Sequence, residues 1–131
     1  MLHVKSVYSP IDSRNDGLRI LVSRFRGRGM PVTRYDVWMA NLGPSEKLMR
    51  QAQSEDITWG EFANFYEQEL FEDAPVDRNN TTIKNHGQKF SLRLIKELAR
   101  RQNVTLMCHC DEDQQRCHRH VLKKIILSRK I

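Results

Sequence analysis

Two short runs of branched and long apolar residues constrain the fold of this chain most. Residues 18–22 (LRILV) and residues 104–108 (VTLMC) each have the length and composition typical of a buried strand. Each run precedes a loop rich in arginine, cysteine or histidine, and helical spacing follows each loop. This order predicts an α/β fold with a small, mainly parallel sheet flanked by helices. The 131 residues fit a single domain of this kind.

The rest of the chain predicts one more strand and further helices. The strand should cover residues 4–8, and the helices residues 33–42, a segment starting at Ser45, and residues 58–71, 90–101 and 117–128. Thr58 and Glu61 have the spacing of a capping box, and residues 73–82 should form a loop. Helical spacing places these aromatic residues in the core: Trp38, Trp59, Phe62, Phe65 and Tyr66. The apolar faces of the last two helices should be Phe90, Leu94, Ile95, Leu98, Val121, Leu122, Ile125 and Ile126.

The charge of the chain is +6 at neutral pH and is unevenly distributed. Residues 12–34 contain six arginines and two aspartates, and residues 84–130 contain twelve basic and four acidic residues. Residues 55–73 contain seven acidic residues and no basic one. The basic segments favour an anionic partner, either a small molecule or a nucleic acid. The alternative is that these charges face solvent or pair with the acidic segment.

Cysteine content and hydropathy indicate the compartment. Three cysteines, an odd number, favour a reducing compartment with free or metal-bound thiols. Residues 1–10 lack the apolar core of a secretory signal. The longest uncharged stretch within the apolar segments, residues 37–45, is far shorter than the roughly 18 residues that suggest a membrane span. We therefore expect a cytoplasmic protein with no membrane partner.

The loop after the strand at residues 18–22, called the arginine loop below, carries Arg24, Arg26 and Arg28, spaced by two residues. In an extended segment they would share one side and bind phosphate or carboxylate in a bidentate manner. The glycines between them would allow the backbone to approach a ligand. The alternative is a solvated loop that pairs with the acidic helix.

The position of this loop relative to the cysteines depends on strand order. If residues 18–22 and 104–108 are parallel neighbours, their carboxyl ends point the same way. The arginine loop and the cysteine-rich loop then meet at one edge of the sheet, where open α/β sheets bind ligands. Every functional prediction from the sequence depends on this juxtaposition.

All three cysteines and three of the five histidines lie within residues 108–120. Cys117 begins a predicted helix, where the helix dipole and Arg119 would stabilise a thiolate. Cys117 is therefore the candidate catalytic nucleophile, with His118 as general base or orienting group. Cys108 ends the strand and is either a second thiol across from Cys117 or a packing residue of the core.

Zinc binding and phosphoester cleavage are the alternatives for this cluster. Cys108 or Cys110, Cys117 and one or two histidines would supply ligands, but the two closely spaced pairs typical of zinc fingers are absent. His109 and Cys110 on a strand would also point to opposite faces. The cluster matches the His-Cys-x5-Arg loop of cysteine phosphatases, yet three acidic residues inside it would repel phosphate. We therefore predict neither a metal nor another cofactor.

Several motifs occur in a specific order between residues 4 and 127. They are Asp16-Gly17-x-Arg19, Arg24-x3-Arg28-Gly29, Trp38, Pro44-Ser45, Trp59-x-Glu61-Phe62-x3-Tyr66-x2-Glu69-Leu70, the strand ending at Cys108, and Cys117-His118-Arg119. This ordered set resembles the family called domain of unknown function 488 (DUF488), in the branch that has the Cys-His-Arg ending. The common loop of that family has Trp-Pro before Arg-Gly, whereas Arg26-Gly27 stands there in this chain.

The resemblance implies an α/β fold and a shared pocket built from Arg24, Arg28, Cys108, Cys117, His118 and Arg119. It implies no particular reaction. From the residues and the resemblance we expect a basic pocket at the strand carboxyl ends that binds a phosphate-bearing or nucleic-acid ligand, with thiol chemistry at Cys117. Its ligand-binding residues should be Arg24, Arg26, Arg28, Cys108 and Arg119. The alternatives are a nucleic-acid-binding module without catalysis and a zinc-stabilised structural domain.

Overall fold

The computed structural model describes residues 1–72 and 87–131, and within them four parallel strands pack beside helices. The strands are β1 (Leu2–Ser6), β2 (Leu18–Leu21), β3 (Val37–Trp38) and β4 (Val104–Cys108). They lie in the order β1-β4-β2-β3, and every neighbouring pair is parallel. The predicted α/β fold with a parallel sheet is confirmed.

The strand β4 lies inside the sheet, and all five of its residues are buried. It pairs with β1 on one side and β2 on the other, so that Leu2 and Leu18 both lie opposite Val104. Neighbours on both edges and packing on both faces explain its continuous apolar sequence. The hydroxyl of its one polar residue, Thr105, donates to the carbonyl oxygen of Asp16 at 2.7 Å, which satisfies this buried group.

Four α-helices are described: α1 (Glu46–Gln53), α2 (Trp59–Phe71), α3 (Lys89–Arg101) and α4 (His118–Leu127). The hydroxyl of Ser45 caps α1 by accepting the N–H of Leu48. The predicted capping box at α2 is confirmed: the Thr58 side chain accepts from the Glu61 N–H, and the Glu61 carboxylate accepts from the Thr58 N–H. The predicted final helix is also confirmed, with Cys117 as its N-cap residue.

The alternation of side chains along the strands divides the core into two parts. Ile20 and Leu106 pack with the helices in the main cluster. Leu21 and Met107 belong to a smaller cluster that contains Val7 and Met30. Helix residues buried in the main cluster include Leu48, Phe62, Tyr66, Leu70, Leu92, Ile95, Leu122, Ile125 and Ile126.

The helix predicted for residues 33–42 is wrong. This segment contains two 3₁₀ turns, Val32–Arg34 and Ala40–Leu42, on either side of β3. β3 pairs with β2, and the carboxylate of Asp36 accepts a hydrogen bond from the backbone N–H of Arg19 at 2.8 Å. Pairing with the sheet therefore overrides the local helical pattern.

Other predictions of burial and boundaries need smaller corrections. β1 begins and ends two residues before the predicted strand at residues 4–8. Trp38 and Phe65 are exposed because Trp38 lies on the short edge strand and Phe65 on the outer face of α2. On α3 the buried residues are Leu92, Ile95 and Ala99, whereas Phe90 and Leu94 are exposed. The loop predicted at residues 73–82 begins the segment that lies outside the described residues.

Within the described residues, no helix is long and apolar enough to cross a membrane.

Candidate thiol site

The arginine loop and the cysteine-rich loop meet at the carboxyl edge of the sheet, as the sequence predicts. His118 Nε2 donates to the carbonyl oxygen of Val22 at 2.9 Å, and His109 Nε2 lies 3.0 Å from the carbonyl oxygen of Phe25. A Cβ on Gly27, whose φ is 93°, would lie 2.6 Å from the His109 ring. Only glycine permits both this backbone conformation and this close approach.

Three thiols form a compact cluster at this edge. The Sγ atoms of Cys108, Cys110 and Cys117 all lie within 4.8 Å of one another, and those of Cys108 and Cys117 are 2.8 Å apart. Cys108 ends β4 and Cys117 caps α4, so the fold itself fixes their backbones. Both are buried, whereas Cys110 is half-buried. Cys110 and Cys117 both line an open cavity.

Arg119 lies beneath the cluster and is 1% exposed. One of its terminal nitrogens donates to Cys108 Sγ at 3.1 Å and to the Cys110 carbonyl oxygen at 3.2 Å. The other donates to the carbonyl oxygens of Asp111 and Glu112 at 2.8 and 3.0 Å. Arg119 thus binds three successive carbonyl groups and determines the path of the loop that carries Cys110.

The charge of Arg119 also constrains the protonation of the thiols. A guanidinium stays protonated when buried, and Arg119 forms no ion pair with a carboxylate among residues 1–72 and 87–131. A buried charge without a partner is costly. The ionisable group in contact with Arg119 is the thiol cluster, so this arrangement favours one thiolate in the cluster.

The hydrogen bonds among the thiols direct that negative charge to Cys110. Hydrogen bonding with Cys108 and Cys117 lowers the pKa of the Cys110 thiol far below its usual range, and the charge of the nearby Arg119 lowers it further. The interaction with Cys110 raises the pKa of Cys108 to about 11. Hydrogen bonding to Cys108 and Cys110, together with burial, raises the pKa of Cys117 well above its usual value.

His118 is a neutral imidazole at pH 7. Burial lowers its pKa below the usual value, and its bond to the Val22 carbonyl shifts the pKa only partly back. A carbonyl oxygen accepts only, so Nε2 carries the proton and Nδ1 keeps its lone pair. Nδ1 lies 4.0 Å from Cys117 Sγ, and the ring packs edge-on against Tyr66.

The cavity beside Cys110 has a volume of about 920 Å³. It lies between the start of α2 and the cysteine-rich loop, and Trp59 and Phe62 supply its aromatic wall. Its described charged residues are four acids and one arginine: Glu55, Asp56, Glu61, Asp111 and Arg116. The cavity is therefore more acidic than the basic pocket expected from the sequence.

The three loop arginines are divided among different contacts and do not line this cavity. Arg24 donates to the carbonyl oxygens of Gly43 and Pro44 at 2.7 and 3.1 Å, and so holds the segment before α1. Arg26 donates to the carbonyl oxygen of Met30 at 2.7 Å, and Arg28 is exposed. By contrast, Cys108, Cys117, His118 and Arg119 lie together, as the sequence analysis expected.

Sequence reasoning left Cys110 out of the expected site because it considered this residue only as a zinc ligand or as the cysteine of a phosphatase-like loop. β4 ends at Cys108, and the following turn brings Cys110 back to the other thiols. The Cys-x-Cys spacing was the available signal, since two thiols so close in sequence cluster easily once a turn separates them. Trp59 and Asp56 were also missed as cavity residues, because nothing in their spacing relates them to the cysteine-rich loop.

The same three thiols are the group best suited to hold a soft metal ion among the described residues. A tetrahedral zinc ion bound at about 2.3 Å would separate two sulfur ligands by about 3.8 Å. The 2.8 Å between the Sγ atoms of Cys108 and Cys117 is much shorter. Zinc would therefore require these two thiols to move apart.

These features define a small α/β protein with a cysteine–arginine site at the carboxyl edge of a parallel sheet. The chain belongs to the DUF488 family: the family model described as the active DUF488-N3 subclade matches residues 2–130. The resemblance drawn from the ordered motifs is thereby confirmed. Comparison with curated proteins and with solved structures gave no significant match.

The lowered pKa of His118 makes stability depend on pH. Between the folded pKa and the unfolded value near 6.5, the unfolded chain binds the proton and the folded chain does not. The free energy of unfolding should therefore fall as pH drops from about 7 to about 5. Urea unfolding followed by circular dichroism across this range should show a smaller slope for His118→Asn than for the wild type. Equal slopes would contradict the assignment.

The sequence lacks the two closely spaced ligand pairs typical of structural zinc sites, which predicts that the protein carries no stoichiometric zinc. After purification without metal-affinity resin, elemental analysis should find far less than one zinc per chain. A chelator should leave the melting temperature unchanged, because no metal contributes to folding. Zinc close to one per chain, together with a large chelator effect, would establish a structural metal site instead.

Proposed function

We propose that this protein is a thiol-dependent enzyme acting on a phosphate-bearing or nucleic-acid ligand, with Cys110 as the nucleophile. One observation carries the proposal: two thiols line the cavity, and the more exposed of them, Cys110, is the one whose pKa is lowered by hydrogen bonding with the two buried thiols. Accessibility and a stabilised negative charge are the two requirements for a reactive thiolate. The name of the matching subclade, which describes it as active, is consistent with an enzyme.

The other site residues then take supporting roles. Cys108 and Cys117 donate hydrogen bonds to Cys110. In this proposal the nucleophile is therefore Cys110 and not Cys117, which the sequence analysis favoured because it begins a helix. Arg119 supplies the counter-charge and positions the loop. His118, neutral and with an unprotonated Nδ1, acts as the general base.

The reaction proceeds in two steps. In the first, an electron pair of Cys110 Sγ forms a bond to an electrophilic carbon or phosphorus of the ligand, and the leaving group departs with its bonding pair. In the second, His118 takes a proton from a water molecule as that water cleaves the sulfur–ligand bond and restores the thiolate. His118 then transfers the proton to the leaving group. The net reaction is hydrolysis of the ligand.

The charge distribution indicates how the ligand lies. Four carboxylates in the cavity disfavour a phosphate deep inside it, so the reacting part of the ligand enters and its phosphates stay outside. The arginine loop contacts His109, which lines the cavity, so this loop borders the cavity and carries the exposed Arg28. Arg116 is the basic residue of the lining.

Alkylation with iodoacetamide tests the nucleophile. The rate at Cys110, followed by peptide mass spectrometry, should stay nearly constant from about pH 5 to 8, whereas an ordinary thiol reacts about tenfold faster per pH unit below 8.5. Cys110→Ser should abolish the fast reaction. Cys117→Ala should keep it but shift its pH dependence to higher pH, because one donated hydrogen bond to Cys110 is lost.

Two results would contradict this assignment. A Cys110 rate that rises steadily to about pH 8.5 would show an ordinary thiol. A fast reaction that persists in Cys110→Ser and disappears in Cys117→Ala would return the nucleophilic role to Cys117.

A nucleic-acid-binding module without catalysis is the second candidate. Phe25 and Trp38 are 54% and 42% exposed, and both are tied to Ser23: its hydroxyl donates to the Phe25 carbonyl, and its carbonyl accepts from the Trp38 indole. Exposed aromatic residues beside Arg28 are suited to stacking with bases and neutralising phosphates.

The second candidate predicts salt-dependent binding of single-stranded oligonucleotides. The logarithm of the affinity should fall with log salt with a slope of about −0.7 per phosphate neutralised. Fluorescence anisotropy should show weaker binding for Phe25→Ala and a smaller slope for Arg28→Ala, whereas Phe65→Ala on the exposed face of α2 should bind like wild type. Binding that is absent at low salt, or insensitive to the loop variants, would exclude this surface.

A further inference from the structure

We propose that the cavity beside Cys110 binds a nucleobase that carries an exocyclic amine, such as adenine or cytosine. This inference rests on the proposed thiol-dependent function and specifies its substrate class. It depends on three properties of the cavity: an aromatic wall, acidic side chains in the lining, and a position next to the arginine loop.

The aromatic wall is rigid and flat. The rings of Trp59 and Phe62 are stacked, with centroids 4.8 Å apart and an angle of 13° between their planes. Phe62 is buried and in turn stacks near Tyr66, so the Trp59 ring rests on a fixed support. Trp59 is half-buried and lines the cavity, so it presents the surface on which a planar heteroaromatic ring would stack.

The carboxylates of the cavity select for hydrogen-bond donors. Asp56 is oriented by the hydroxyl of Ser54, which donates to one of its oxygens at 2.8 Å and leaves the other oxygen as an acceptor. Glu61 is held by the backbone N–H of Thr58, which donates to one carboxylate oxygen at 3.0 Å. Carboxylates accept readily from the amino groups of bases and repel phosphate. An uncharged base with an amine is therefore a better occupant than a phosphate group.

The exterior of the site accommodates the rest of a nucleotide. His109 lines the cavity and also contacts the carbonyl oxygen of Phe25, so the arginine loop borders the opening. Arg28 on this loop is exposed, and an exposed guanidinium is suited to binding the phosphate of a nucleotide. An aromatic and acidic lining beside the arginine loop matches the two chemical ends of a nucleotide.

Intrinsic fluorescence gives a direct test, because the chain has only two tryptophans. Trp38→Phe leaves Trp59 as the sole tryptophan reporter. Adenosine should quench its fluorescence in a saturable way, whereas ribose should not. Inosine, which has an oxygen in place of the amine, should bind roughly tenfold more weakly than adenosine.

Two variants in this background separate the carboxylate effect from general damage. Asp56→Asn should weaken adenosine binding by about tenfold and should reduce the preference over inosine. Glu46→Gln, which removes an exposed carboxylate of α1 that pairs with Arg50, should bind adenosine as the parent does. Equal binding of adenosine and inosine, or no saturable quenching by either, would overturn the inference.

The alkylation profile of Cys110 distinguishes this inference from the proposed function, because stacking and amine recognition do not use the thiol. Adenosine binding combined with an ordinary Cys110 alkylation profile would support the nucleobase site and contradict the nucleophile. The opposite result is a fast, pH-independent Cys110 reaction that adenosine does not slow, together with no quenching of the Trp59 fluorescence by adenosine. It would overturn the nucleobase site alone.

Discussion

The contact between the Arg119 guanidinium and the end of β4 is the interaction on which the site depends. One buried side chain donates to the Cys108 sulfur and to the carbonyl oxygens of Cys110, Asp111 and Glu112. The same group joins the strand end, the following turn and the first turn of α4. The positive charge of Arg119 favours a compensating anion among the thiols. The same buried side chain therefore affects both the geometry of the turn and the protonation of the thiols.

The parallel sheet explains why this contact lies where a ligand can use it. Because β2 and β4 are neighbours in register, their following loops lie side by side, and His118 and His109 connect them through carbonyl groups. Arg24 extends the arrangement by holding the backbone before α1. The cavity is formed by segments from the middle and the end of the chain, and none of these segments would form it alone.

The elements predictable from sequence are those whose signals are local. β4 matches its predicted residues because a strand that is buried on both faces must be apolar throughout, and the α2 capping box is a contact between residues three apart. The residues around β3 were misjudged because their conformation comes from pairing with β2. The apolar face of α3 was misplaced because Leu92 and Ala99, not Phe90 and Leu94, contact the sheet side. That the arginine loop and the cysteine-rich loop meet at the carboxyl edge was predictable from strand direction. The position of Cys110 beside the other two thiols was not, because it depends on the turn to which Arg119 donates its hydrogen bonds.

The strand order has a consequence for synthesis of the chain on the ribosome. β4 and α4 come from the last part of the sequence, yet β4 lies between β1 and β2. The first two strands therefore do not pair with each other, and the edges of β1 and β2 that bind β4 stay unpaired until residues 104–108 emerge. The thiol cluster assembles with the same event, because Cys108 ends that strand. Folding of the sheet is therefore expected to follow synthesis rather than accompany it, and a chain truncated before β4 would hold neither the fold nor the site.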